Sequence, residues 1–193
     1  MADTDEKPTF IADAMLGRLA RALRMLGLDT QYRPDIDDSE LKMTALREGR
    51  VILTRDHEVA DTGLPVSVLL IESDHVEEQL LQTARAFHIS PGGGLFSRCL
   101  ICNVEVEDAP PSEVRERVPE YVFATQSRFS RCPSCGRVYW AATHVEHARE
   151  WLERVLGSGS GGSGGRGGGG KAHAVGSEGD DAHGLPEKQG EER

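Results

Sequence analysis

Cysteine is scarce in this chain of 193 residues: four in all, in two Cys-x-x-Cys pairs, Cys99–Cys102 and Cys132–Cys135. No apolar run is long enough to span a bilayer, which excludes a membrane-spanning helix. No signal-peptide pattern is present either, so a reducing cytoplasm is the expected compartment and structural disulfides are disfavoured there. Excess positive charge is also missing. Twenty-two basic residues against 32 acidic ones leave a net charge of −10, the wrong sign for a general nucleic-acid binder. Most of the structured deficit falls in the first half, −5 over residues 9–89 against −1 over residues 90–156. A domain rich in carboxylates suits the binding of a divalent cation.

The cysteine spacing carries chemistry of its own. Two residues between cysteines let both thiolates of one turn face the same ion, and two such turns complete a tetrahedral shell that suits zinc. Between the pairs lie residues 103–131, longer than the usual gap of about 15–20 residues, but an insertion there adds little closure entropy. Two disulfides or four free thiols are the bland alternatives. Two matched pairs, one containing Pro133 and followed by Gly136, favour a metal. With Cys99, Cys102, Cys132 and Cys135 all ligands, zinc has no open position and its role is structural.

Along the chain, residues 1–8 are polar and read as unstructured. Thr9–Ala12 reads as a buried strand ending at Asp13. A helix follows over residues 14–26, with Leu16, Leu19, Ala20, Leu23 and Leu26 on one face and Arg18, Arg21 and Arg24 beside it. Gly27 has the place of a C′ glycine. Residues 29–32 form a second strand. Asp37 or Asp38 caps a helix with Leu41, Ala45 and Leu46 inward. Val51–Leu53 and Val66–Ile71 are further strands, separated by a short helix, and a last helix covers about residues 75–88. This alternation predicts an α/β domain over residues 9–89, a parallel sheet with helices on both faces. Pro91–Gly94 reads as a hinge to a small zinc-ribbon module, residues 95–156, closed by an amphipathic helix from His144. Residues 157–193 read as a disordered Gly-rich tail, with His173 and His183 solvated.

In an open parallel sheet, ligands gather at the carboxyl ends of the strands. Asp13 and Asp56 stand at two such ends, Asp37 and Asp38 open a helix on the same edge, and Glu58 and Asp74 are weaker candidates. Converging carboxylates repel one another unless a cation neutralises them, and hard oxygens select magnesium or manganese. Such a site would hydrolyse a phosphodiester, with Arg18, Arg21 and Arg24 as candidate contacts to the approaching phosphates. A cap for the acids and a solvated face for the arginines are the structural alternatives.

Phe10-Ile11-Ala12-Asp13-Ala14-Met15-Leu16-Gly17-Arg18-Leu19-Ala20-Arg21, with Leu23-Arg24-Met25-Leu26-Gly27, resembles the opening of the mutator-seven C-terminal RNase family. Ile52-Leu53-Thr54-Arg55-Asp56 is similar to its LTRD signature. The segments Phe96–Asn103 and Cys132–Trp140, with His144 behind them, are similar to its zinc ribbon. The resemblance covers about residues 9–152. It implies a PIN-like fold fused to a zinc ribbon and metal-dependent RNA cleavage, with Asp13, Asp38 and Asp56 holding magnesium or manganese and Asp37 and Glu58 in support. A non-catalytic RNA-binding or adaptor protein is the main alternative. A toxin held by an antitoxin-type partner and a homo-oligomer stay open.

Overall fold

The computed structural model describes residues 7–61, 63–92, 94–140 and 143–157, with the side chains of the last helix described from Val145 onward. The tail from 158, with His173 and His183, most of the N-terminal segment and the side chain of His144 lie outside the described residues. The chain divides into two units after Ser160, and everything described belongs to the first.

Four short strands, β1 (Phe10–Ala12), β2 (Thr30–Tyr32), β3 (Val51–Thr54) and β4 (Val68–Leu70), form a parallel sheet in the order β2-β1-β3-β4. A 3₁₀ turn at Ala14–Leu16 and helix α1 (Gly17–Met25) follow β1. Helices α2 (Asp38–Glu48), α3 (His57–Ala60) and α4 (Val76–Ala86) complete the layer. Side chains alternate across a strand, so β1 feeds two cores. Phe10 and Ala12 join Leu19, Leu23 and Leu80 of α1 and α4, while Ile11 joins Leu41, Ala45 and Val59 of α2 and α3. Helices therefore cover both faces. On α2 the buried residues are Leu41, Thr44 and Ala45. Leu46, expected inward, is exposed, because it sits about 100° around the helix from Ala45.

A second, antiparallel sheet has the order β5-β6-β7, from β5 (Glu107–Ala109), β6 (Phe129–Arg131) and β7 (Val138–Trp140). Helices α5 (Pro111–Val114) and α6 (Glu120–Thr125) fill the segment between the cysteine pairs. They share with the sheet a small core of Ala109, Val114, Val118, Val122 and Phe129.

Two features correct the expected division into modules. The last helix, α7 (Thr143–Gly157), does not close the second module. Its Leu152 and Val155 are buried in the core shared by α1 and α4, and the Trp151 indole donates to Glu77 of α4 at 2.7 Å. The segment after Pro91 is no free hinge either. The Phe96 N–H donates to the Met25 carbonyl at 2.8 Å, at the end of α1. Gly27 shows how close that packing is: its φ is +78°, and a Cβ there would lie 2.1 Å from the Gly94 carbonyl oxygen. Gly27→Ala is expected to destabilise the fold by at least about 1–2 kcal/mol, the cost of the left-handed backbone alone, seen as a lower urea midpoint.

Asp29, just before β2, gathers the two halves. It accepts from Arg50 at 2.6 Å and from the Asn103 amide at 2.8 Å. Burial opposes its charge, but the hydrogen bonds from Arg50 and Asn103 outweigh that and hold its carboxyl below the ordinary carboxylate value. A depressed native pKa contributes stability that is present above the unfolded value near 3.9 and is lost as the pH falls below it. Asp29→Asn is therefore expected to lower stability at neutral pH and to flatten the acid-side loss below about pH 4, measured by denaturation midpoints at pH 7 and pH 3.

Candidate functional site

The strand order puts β1 and β3 side by side, with the chain leaving β1 toward β2 on one side and returning to β3 on the other. The carboxyl ends of such a pair frame the crevice of a doubly wound sheet. Asp13 follows β1 directly and is buried, 7% exposed. Its Oδ1 accepts from the Ala14 N–H at 2.5 Å, capping the 3₁₀ turn. Its Oδ2 accepts from the Thr54 hydroxyl at 2.7 Å, and that hydroxyl accepts from the Asp56 N–H at 3.0 Å. One buried hydroxyl thus ties the Asp13 carboxylate to the backbone of Asp56, just past the neighbouring strand. Asp56 caps α3, accepting from the Glu58 N–H at 2.7 Å.

The remaining acids stand apart. Asp37 is the N-cap of α2 and accepts from the Glu40 N–H at 2.9 Å; Asp38 is the first residue of that helix and exposed. Both lie on the carboxyl edge, beyond β2. Glu58 is exposed in the first turn of α3, and Asp74 is exposed and paired with Arg55. Among the described residues, no three carboxylates or imidazoles bring ligand atoms within 4.8 Å of one another. Thr54 joins the Asp13 carboxylate to the Asp56 backbone at adjacent strand ends; Asp38 is not drawn into a closed shell with either acid.

Two of the three arginines expected to meet RNA remain available: Arg18 and Arg21 are exposed on α1. Arg24 is a correction. It is 4% exposed, and its guanidinium donates to the carbonyls of Thr30, Leu100 and Ile101 at 2.9, 2.8 and 2.9 Å. Those bonds occupy the fork inside the protein, away from any phosphate.

Two side chains at this edge are further findings. Thr54 is fully buried, a polar residue closing an apolar strand, which is the signal that marks it in the sequence. Tyr32 ends β2, and its hydroxyl donates to the Ala14 carbonyl at 3.0 Å. A Cβ on Gly17 would fall 2.7 Å from the Tyr32 ring, so a glycine there lets the ring lie over the start of α1.

The four cysteines meet although two sequence-distant knuckles supply them. All four Sγ atoms lie within 4.8 Å of one another, and Cys99 and Cys135 are 3.8 Å apart. Sulfurs about 2.3 Å from a tetrahedral centre are about 3.8 Å from each other, so the set fits zinc. All four are free thiols. Each knuckle turns its N–H groups toward sulfur, as in Cys102 N–H to Cys99 Sγ at 3.3 Å, and Tyr139 O–H donates to the same sulfur at 3.1 Å. Burial disfavours the charge on Cys99, but the bonds from Tyr139, Cys102 and Ile101 outweigh it and bring its thiol down to about 7. Burial first, then bonding to Cys135 and the negative charge of Cys99, pushes Cys102 up to about 12. Thiolates this close repel one another, and a divalent ion removes that repulsion.

Comparison with known proteins gives one clear result. No curated protein and no solved structure matches the chain significantly. The Mut7-C RNAse domain family matches residues 8–152, a span that takes in Asp13, Asp56 and all four cysteines. The chain therefore belongs to the Mut7-C RNAse domain family.

Proposed function

We propose that the chain is a PIN-like, metal-dependent ribonuclease that hydrolyses RNA phosphodiester bonds at the carboxyl edge of the parallel sheet. The observation that carries this reading is the buried Asp13 carboxylate at the end of β1, tied through the Thr54 hydroxyl to the backbone of Asp56 just past the neighbouring β3. The donors fit magnesium or manganese, since hard carboxylate oxygens suit either ion and magnesium is commonly held by one or two carboxylates plus waters and phosphate. When bound, such an ion supplies an activated water and offsets charge developing on the phosphate. Asp13 and Asp56 would hold it, with the Thr54 hydroxyl orienting the Asp13 carboxylate beside the Asp56 backbone. Asp38, with Asp37 beside it, and Glu58 stand on the same edge, where they meet the hydrated ion or the incoming strand. Arg18 and Arg21 contact phosphates. Zinc on Cys99, Cys102, Cys132 and Cys135 is structural, and such reduced thiolates suit the cytoplasm.

Incubating the purified chain with labelled RNA should give cleavage with Mg²⁺ or Mn²⁺ that EDTA stops and a renewed excess of the same ion restores. Cleavage insensitive to EDTA overturns the reading. The tight cluster of cysteines beside dispersed acids favours one rival, an RNA-binding adaptor that works through its zinc ribbon. RNA bound but left intact with either ion would establish that rival.

A further inference from the structure

The buried Arg24 joins structures that the sequence keeps far apart. Its Nε donates to the Thr30 carbonyl at the start of β2 at 2.9 Å. Its Nη1 donates to the carbonyls of Leu100 and Ile101 at 2.8 and 2.9 Å. Leu100 and Ile101 are the two residues between Cys99 and Cys102, so the guanidinium holds the backbone of the knuckle itself. The next residue, Asn103, answers from the other side, with φ of +65°. Its side-chain oxygen accepts from the Thr30 N–H at 2.9 Å, and its amide donates to Asp29. Both backbone polar groups of Thr30 are thereby committed to the knuckle, one through Arg24 and one through Asn103.

A buried arginine is costly unless its donors and charge are matched. Burial works against the charge of Arg24, and negative charge on Cys99 and Cys102 counters it. A four-thiolate zinc centre carries a net charge of about −2, so the counter-charge is largest when the metal is bound.

We propose that Arg24 and Asn103 link zinc binding to the stability of β2 and α1, so that loading the four cysteines tightens the sheet that carries Asp13. The proposal rests on reading the cysteines as a zinc site. Linkage is reciprocal: zinc stabilises the β2–α1 edge, and damage at Arg24 weakens zinc. Arg24 is a positioning residue here. Its planar fork spans three carbonyls, which the point charge of a lysine cannot reproduce.

Hydrogen exchange on the full-length chain, zinc-loaded and then stripped by chelator under reducing conditions, reads the first half of the linkage. Zinc removal is expected to speed exchange across residues 17–32 at least tenfold, as well as in the knuckles. Competition with a chromophoric chelator reads the second half. Arg24→Lys and Arg24→Gln are expected to weaken zinc about 10- to 100-fold, the usual effect of losing a group that orients metal ligands. Arg85→Gln, an exposed arginine on α4, should bind zinc as the wild type does. Unchanged exchange over residues 17–32 in chains that have demonstrably lost one zinc overturns the linkage, and that measurement needs no variant to fold. Wild-type zinc affinity in Arg24→Lys overturns it equally. A reduced wild-type chain that takes up no zinc overturns the metal reading, and the linkage with it.

Discussion

Asp13→Asn is expected to lower metal-dependent RNA cleavage by about a hundredfold to a thousandfold while leaving the fold in place. The size follows from the several kcal/mol that a bound cation contributes to a phosphodiester transition state, at 1.36 kcal/mol for each factor of ten. Asparagine keeps the volume of Asp13 and an oxygen for the Ala14 N–H, but it lacks the charge that holds the ion. Its amide would face the Thr54 hydroxyl, which now donates to Oδ2, so a stability loss of about 1 kcal/mol is expected alongside. Asp56→Asn should match it in activity, since Asp56 is the second acid proposed to hold the ion. Thr54→Val tests the link between them. It preserves shape but removes the hydroxyl that donates to Asp13 and accepts from Asp56 N–H, and a loss of about 10- to 100-fold is expected, as for other groups that hold metal ligands in place. Initial rates on one labelled RNA, with circular dichroism and urea midpoints as controls for folding, separate these outcomes. Equal activity in wild type, Asp13→Asn and Asp56→Asn would mean that the paired acids serve only as caps.

Asp13 and Asp56 were legible as neighbours because the physics is local and directional. Short apolar runs set between helices that end at glycines such as Gly49 define the strands, and alternating helices force them to be parallel, so strand ends share an edge. The cysteines were legible because a knuckle is set by spacing within one turn. What escaped was partner choice. Arg18, Arg21 and Arg24 recur every third residue, but at 100° per residue each step drifts by about 60°. Arg24 therefore stands about 120° from Arg18, far enough to enter the interior. Nothing in α1 shows that the carbonyls of Leu100 and Ile101 wait there. Charged residues are seldom buried, so the ordinary expectation for Arg24 was solvent. The same holds for α7. Its stripe of Leu152 and Val155 announces an apolar face, but not that α1 and α4 cover it.

Cys135→Ser is expected to be as damaging as Cys132→Ser, and this equality separates a metal site from a packed core. Cys132 is fully buried and Cys135 is exposed. If the cysteines mattered only as small apolar side chains, losing the exposed one would cost almost nothing, since surface changes usually fall within about 0.5 kcal/mol. As ligands of one ion they are equivalent, because a missing thiolate opens the shell wherever it sits. Apart from the Arg24 and Asn103 bonds at the first knuckle, the second module has a small core of its own. Its own buried core is Ala109, Val114, Val118, Val122 and Phe129. Burying each larger apolar side chain contributes about 1.5–3 kcal/mol, against an ordering cost of about 1–2 kcal/mol for every backbone residue fixed. On the zinc reading, metal binding supplies the difference, as it does where small domains fold only with zinc. Wild-type protein is expected to hold about one zinc per chain, with either variant at least about a hundredfold weaker in zinc affinity and cut readily by protease between residues 107 and 140. Zinc content by elemental analysis and limited proteolysis on the same samples decide the matter. Full zinc occupancy and protease resistance in Cys135→Ser would show that the exposed thiol is no ligand and that three residues hold whatever binds there.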